Sequence, residues 1–321
     1  MPIIKAGSKG FLDFVRNSKA FADLNEKGIP EFVEDNTPRE VIDNVGNRLG
    51  VLLEAKKTNY LLNSTDPEKH TIYLDSRTYT FSAIGGGYVA ITLPSQTLTY
   101  QGDPVTFTIS GSQIPVTVDP QDSVRAFQLE DGSTHTSIIE TDDTGAQERD
   151  NESVSHGRDA YFSRNTGTFI GHFNIDQIDN GTIYFHVDAG SLSFEIVGSG
   201  NSFVFNSNGE QIQFLNPPVD GKVRFAVTYN ATRGYVRCYL NEEVGELTIP
   251  FIKPSVVTFS KDPHPTMMML ESYEYRPKAL TNGEISKKFN YQFELAYDFV
   301  VEPVQVSNWA DRIFASSTYG L

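Results

Sequence analysis

Hydrophobic and polar positions alternate along this chain in short runs. Between residues 78 and 119, "TYTFSAI", "GYVAITL", "TLTYQG", "VTFTISG" and "IPVTVD" follow one another. Each is rich in Thr, Val, Ile, Tyr or Phe, which suit a half-buried pleated surface. Each is closed by Gly, Pro, Asp or Ser, which break one. The second half repeats the style in "GTFIGHFNI", "GTIYFHVDAG", "LSFEIVG", "SFVFNSNG", "QIQFLN", "VRFAVTYN" and "GYVRCYLNEE". In "VRFAVTYN", Val223, Phe225, Val227 and Tyr229 share one face. The pattern predicts an all-β chain, two antiparallel β-sandwich (jelly-roll) domains with little helix.

Helix is expected in two places. In "GFLDFVRNSKAFADLNEKG", Phe11, Phe14, Val15, Phe21 and Leu24 partly fit a helical period. In "LTNGEISKKFNYQF", Thr281 stands three residues before Glu284, a capping box in which each side chain accepts from the other's backbone N–H. Between the halves lies "ETDDTGAQERDNESVSHGRD", charged and nearly free of large apolar groups, which reads as a linker. The expected division is an N-terminal arm over 1–49, a sandwich over 50–142, a linker over 143–157, a second sandwich over 158–291 and a C-terminal assembly tail over 292–321. That tail carries the sole tryptophan, Trp309, and enough apolar groups to need a packing surface.

Composition narrows the classes. A length of 321 residues fits about two domains. The 22 Phe and 15 Tyr argue against disorder, and 1 Cys excludes an internal disulfide framework. A net charge of −15 disfavours phosphate backbones, so no nucleic-acid partner is expected. The opening residues lack the apolar core of a secretory signal. No run approaches the roughly 18–20 apolar residues of a membrane span. The expectation is an acidic, soluble protein made in the cytoplasm.

Candidate chemistry gathers in "RAFQLEDGSTHTSIIET", residues 125–141, with Glu130, Asp131, Glu140, His135, Ser133, Thr134, Thr136 and Ser137. A retaining glycosidase needs two carboxylates about 5 Å apart. Glu130 and Asp131 are strand neighbours and face opposite ways, whereas Gln128 and Glu130 share a face. His135, Thr136 and Ser137 are adjacent in sequence, which does not make a triad, and no Gly-x-Ser-x-Gly elbow occurs. The stretch therefore reads as a strand, a turn at Gly132, and hydroxyls on Thr136 and Ser137 that bond backbone groups. Glu130 should accept from backbone N–H groups or pair with a base. Glu54 ends the apolar run "LGVLLE" and also needs a partner: Lys56, Lys57 or a distant Arg.

Elsewhere the inventory is plain. No His or Cys spacing suits zinc. Asp176, Asp179 and Asn180, and likewise "TDDTGAQERD", offer oxygens for Ca²⁺ but read as solvated turns. "IGGGY" lacks the lysine of a phosphate loop and reads as a hairpin turn. The triple Met of "HPTMMMLESY" and Cys238 read as core. Glu195 is the one acid of "LSFEIVG", too few for a hydrolase strand. Tyr88, Tyr100, Tyr235 and Tyr239 could each stack on a sugar, and the sequence does not choose among them. No metal or cofactor is expected.

Two signatures resemble a modular family of tailed-bacteriophage structural proteins. The first is "GVLLEAKKTNYLLNSTD", with Glu54, Lys57, Thr58, Asn59 and Ser64 in the family's positions. The second is the 125–141 stretch, with Gln128, Leu129, Glu130, Gly132, Thr136, Ser137, Ile138 and Thr141, then Arg149 and Asp150. "FLDFVRN" and "TPRE" precede them as in the family. This resemblance covers roughly residues 11–150 and implies a carbohydrate-binding-module-like sandwich. The second half resembles a laminin-G or concanavalin-A-like jelly roll, through "VRFAVTYNATRGYVRCYLNEE" and "LESYEYRPKALTNGEISKKF". The resemblance implies a non-enzymatic virion protein, part of a tail fibre, spike, baseplate, head fibre or capsid decoration. It implies other virion proteins as partners, a homo-oligomer (often a trimer) and attachment to host surface glycan. The rival classes are a glycan-binding adhesin or lectin and a glycoside hydrolase.

Overall fold

The structure, a computed structural model, describes residues 13–24, 30–42, 48–121, 123–157, 162, 165–190, 192–215, 221–248, 254–289 and 304–307. The chain is all-β with one short helix among the described residues. It divides into two compact units, and the division is not linear. A large unit takes residues 1–15, 37–55 and 152–321; an inserted unit takes 16–36 and 56–151.

The large unit has two big sheets. One runs, in spatial order, β1 (Asp13–Val15), β15 (Ser153–Gly157), β24 (Val256–Lys261), β17 (Ile183–Ala189), β18 (Leu192–Ser199), β19 (Ser202–Ser207) and β20 (Glu210–Phe214). The other runs β23 (Glu243–Thr248), β22 (Tyr235–Leu240), β21 (Lys222–Asn230), β16 (Thr166–Ile175), β25 (Met267–Arg276), β5 (Arg48–Glu54), β4 (Arg39–Ile42) and β26 (Val304–Ser307). Only the β26–β4 pair is parallel among these. Alternation aims Phe169, Phe173, Phe225, Val227 and Tyr229 from one sheet, and Phe185, Val187, Phe194 and Phe259 from the other, into one core. Each such ring, fully buried, contributes roughly 1.5–3 kcal/mol of transfer free energy. Glycine lets the central strand pass close. A Cβ on Gly171 would sit 2.3 Å from the Ser272 carbonyl oxygen.

The outer face of the eight-stranded sheet is covered by α1 (Asn282–Phe289), where Ile285 packs with Ile170, Ala226 and Tyr239. The triple Met fills both sides of β25. Met267 and Met269 pack with Val41 and Leu52, while Met268 faces the main core. Cys238 is also fully buried, and burial pushes its thiol well above the ordinary range.

The inserted unit packs β10 (Gln96–Tyr100), β9 (Val89–Leu93), β12 (Ile114–Pro120) and β7 (His70–Leu74) with β11 (Val105–Thr108), β8 (Thr78–Gly85) and β13 (Val124–Asp131). Phe81, Ile91, Val116, Val118, Phe127 and Leu129 form its core. Two ribbons complete it, β14 (Gln147–Arg149) with β6 (Lys57–Asn59), and β2 (Ala20–Leu24) with β3 (Pro30–Val33). "IGGGY" is the β8–β9 turn, with Gly85 and Gly87 at φ 106° and 105°, a region that favours glycine.

Several expected boundaries differ from the structure. The 1–49 segment is not a separate arm. Its β1 and β4 belong to sheets of the large unit, and its β2–β3 ribbon to the inserted one. The N-terminal helix is replaced by β1 and β2, because the chain leaves one unit at residue 15 and enters the other at 16. Arg16 holds that corner, donating to the carbonyls of Ser18 at 2.5 Å and Glu34 at 2.7 Å. Residues 50–54 lie in the large unit, pairing with β25, and not in the first sandwich. The 143–157 linker contains β14 and β15. Its charges looked solvated, yet Arg149 and Glu152 are fully buried. Of the 292–321 tail only β26 lies within the described residues; Trp309 lies outside them.

Candidate functional site

Past Glu54, the residues of the two phage-family signatures lie together in the inserted unit. In the inserted unit, Asn59 is fully buried and uses every bond it can make. Its Nδ2 donates to the carbonyls of Phe127 (3.3 Å) and Ile139 (2.9 Å). Its Oδ1 accepts from the N–H groups of Leu61 (3.1 Å) and Leu129 (3.0 Å). Thr58 sits beside it on β6, opposite Glu148. Ser64 donates to the Ile139 carbonyl at 3.0 Å and accepts from the Thr141 N–H at 2.8 Å.

Gln128 and Glu130 do share a face of β13. The Gln128 amide donates to Glu130 Oε2 (3.0 Å) and to the Thr136 carbonyl (2.6 Å), and accepts from the Ile139 N–H (3.1 Å). Glu130 accepts from the Thr136 N–H at 2.7 Å and from the Thr136 hydroxyl at 2.5 Å. The Thr136 hydroxyl thus serves a carboxylate and not the expected backbone group. Full burial pushes the Glu130 carboxyl up to about 7, against the Thr136 bonds and the positive charges of Arg149 and Lys57. Arg149 donates to Ser137 Oγ at 2.7 Å and to its carbonyl at 3.2 Å. Gly132 closes the turn at φ 103°, its N–H donating to the Thr78 carbonyl at 2.8 Å.

Glu54 stands elsewhere, in the large unit, as one of two glutamates on a buried arginine. Arg39 Nη2 donates to Glu54 at 2.7 Å and also to Glu152, which takes Arg39 Nε as well, at 3.2 Å. The Glu54 N–H donates to Glu152 at 2.9 Å. Burial disfavours the guanidinium charge, but facing Glu152 and Glu54 it is held protonated, above its ordinary range. Thr281 and Glu284 close the capping box in both directions. Glu284 accepts from the Thr281 N–H at 2.8 Å, and Thr281 accepts from the Glu284 N–H at 3.3 Å.

A groove of about 550 Å³ opens where the network reaches the surface of the inserted unit. Asn63, Asp66, Glu140, Asp142, Glu148 and Lys19 line it with neighbouring hydroxyls. Its lining includes no histidine, cysteine or aromatic ring among the described residues. Hydrogen bonds from Thr144 hold the Asp142 carboxyl below its usual range. Of the four tyrosines, only Tyr88 is open. Tyr100 and Tyr239 are buried, and Tyr235 lies under Arg237 at 5.2 Å. Exposed Tyr73 was not anticipated. Asp179 and Asn180 tie their loop to two others, accepting from the N–H groups of Thr266 (2.6 Å) and Gly200 (3.0 Å).

One cluster went unread. On the large unit His186 Nδ1 lies 2.8 Å from Glu195, and its Nε2 lies 2.8 Å from Asp188 and 2.5 Å from Lys261 Nζ. Partial burial pushes the Asp188 carboxyl up, but bonds from His186 and the charge of Lys261 hold it below its ordinary range. The i, i+2 spacing of His186 and Asp188 was the available signal.

No known protein family matches the chain. No curated protein matches it either. Among solved structures, it aligns with the binding domain of botulinum neurotoxin DC in complex with rat synaptotagmin II, at 16% identity and a TM-score of 0.34. That match covers 44% of this chain and 40% of the other. The chain thus spans about two fifths of the toxin domain. A heptameric SAP-like pentraxin from Limulus polyphemus aligns at 7% identity over 73% of this chain and 81% of its own, with a TM-score of 0.31. An alginate lyase of polysaccharide lyase family 7 aligns at 12% identity over 47% of this chain and 77% of its own, with a TM-score of 0.32.

Proposed function

We propose that this chain is a non-enzymatic structural protein of a tailed-phage particle, an appendage or decoration that attaches to host surface glycan. One observation carries the reading. The acid, amide and hydroxyls that looked catalytic in residues 125–141 are engaged in holding one another: Glu130 with Thr136 and Gln128, Ser137 with Arg149. A motif so used is an architectural one, which is how the family resemblance reads it. Its partners are other virion proteins and further copies of the chain, and its place is the virion, after synthesis in the host cytoplasm.

Gradient-purified particles from a culture carrying the gene test the placement by peptide mass spectrometry. The chain is expected in the particle band at fixed stoichiometry to the capsid protein. Recovery from the soluble lysate alone would sink the proposal. The hydrolase alternative predicts reducing ends released from host polysaccharide; none are expected.

A further inference from the structure

β7 is an edge strand of the inserted unit. It pairs with β12 in unbroken register, from His70 opposite Val118 to Leu74 opposite Ile114, and no other strand among the described residues takes its far side. Pro115 stands opposite Tyr73 and has no N–H to give. The ladder bonds therefore fall on the flanking pairs, and Thr71 and Tyr73 turn their N–H and C=O groups to the open edge. Natural edges are usually blunted by a lysine, a proline or a bulge. "HTIYL" has none of these. It also exposes Tyr73, at 63% the most exposed aromatic ring among the described residues.

The edge is complementary to itself. Two copies laid antiparallel about Ile72 set Thr71 against Tyr73 of the second copy, and Tyr73 against its Thr71. Those are the residues whose backbone groups face outward, so each of the two equivalent pairs can exchange both of its bonds. On the exposed face the Tyr73 ring meets a β-branched side chain, a favourable cross-strand pair. On the other face Ile72, which packs against the core of the unit, meets its own copy. The same register sets Lys69 opposite Asp75 at both ends. A slide of two residues one way sets Lys69 against Tyr73, and the other way against Arg77. A slide of one joins the exposed face of one copy to the core face of the other. Both charges already have neighbours: Lys69 lies 2.6 Å from Asp119, and Asp75 accepts from Ser112 Oγ (2.6 Å) and the Gln113 N–H (3.1 Å). They choose the register; the backbone bonds and the Tyr73 ring hold the copies together.

We propose that a second copy of this chain pairs on β7, antiparallel across a twofold axis at Ile72, joining the two four-stranded sheets into one. The occupant rests on the reading above, in which further copies of the chain are partners; the edge gives that contact its place. Such a contact closes at two copies and removes the open edge, so it does not propagate into a fibre.

A five-residue edge makes a contact at the weak end of specific interfaces. Sedimentation velocity should therefore follow the full chain up to about 1 mM, where a monomer–dimer equilibrium is expected. Thr71→Pro removes an outward N–H and leaves the β12 ladder intact, so the dimer should be lost while the thermal melt holds. Cysteines read the register. In a non-hydrogen-bonded pair the Cα atoms lie about 4.5 Å apart, within disulfide reach. Under diamide, Ile72→Cys should give a covalent dimer and Thr71→Cys should not; Cys238 is buried and stays silent. A wild-type chain monomeric throughout, a dimer that survives in folded Thr71→Pro, or cross-linking by Thr71→Cys in place of Ile72→Cys would each overturn the pairing. Particle location is read separately. A chain found on particles that fails these tests sinks this proposal alone, and a dimer of the expected register absent from particles sinks only the placement.

Discussion

Arg39 is gripped by Glu152, a residue 113 positions further along the chain, while Glu54, 15 positions on, takes its other side. All three are buried. Deleting one partner of such a group leaves an uncompensated interior charge. Glu152→Ala should cost about 3–5 kcal/mol of stability. Replacing Arg39, Glu54 and Glu152 together by apolar residues of similar volume should recover most of that loss. Chemical denaturation of the three proteins decides it; a midpoint unmoved by Glu152→Ala would show that the grip contributes nothing.

Glu130 makes the inserted unit pH-sensitive. Unfolded, its carboxyl titrates near 4.5; folded, burial raises it to about 7. Below 4.5 both states are protonated and the group contributes no slope. As pH rises from 4.5 to 7 the unfolded chain gives up its proton first, so stability falls. Above 7 the effect levels off. Melting should therefore be easier at pH 8 than at pH 5, and Glu130→Gln should flatten that slope. A steeper or unchanged slope in the variant would rule this group out as its source.

Asn59→Ala should remove a hydrogen bond from four buried backbone groups at once, and of these the Ile139 carbonyl keeps its bond from Ser64. Leaving the others unmet costs about 1–3 kcal/mol for each that water cannot reach. The expected outcome is protease sensitivity in residues 56–151 with the large unit still protected, read by limited proteolysis and mass spectrometry. Equal protection of both would place the network's weight elsewhere.

Gly171→Ala places a methyl 2.3 Å from the Ser272 carbonyl and 2.8 Å from the Phe225 ring. Backbone cannot yield as a flexible side chain can. The loss should be about 1–3 kcal/mol or more, visible as a lower melting temperature of the large unit. A neutral result would mean that β16 and β25 separate more readily than their register implies.

Strand character was legible because alternation is local: "VRFAVTYN" needs no partner to be read. The capping box at Thr281 and Glu284 was legible for the same reason. Gln128 and Glu130 were placed on one face by period alone. What the sequence concealed was long-range. Glu54 plainly needed a cation, but nothing near it names Arg39. The run 140–159 looked solvated because Arg149 and Glu152 are charged, and only three-dimensional pairing with Ser137 and Arg39 makes their burial tolerable. The His186 cluster needs β18 and β24 to arrive from either side of β17, which no window of one strand contains.

The twofold insertion governs the order in which this protein can be completed during synthesis. Every residue of the inserted unit has been made by position 151, whereas β5 waits for β25 at 267–276 and β1 waits for β15 at 153–157. Contacts so distant in sequence form slowly. The inserted unit can fold on the ribosome while β1 has no partner yet and the β4–β5 pair still lacks β25. A fragment beginning at residue 158 to isolate the second sandwich would lack β1 and β15 from one end of the seven-stranded sheet, β4 and β5 from within the eight-stranded one, and the Arg39 anchor. Expression trials should keep the chain whole.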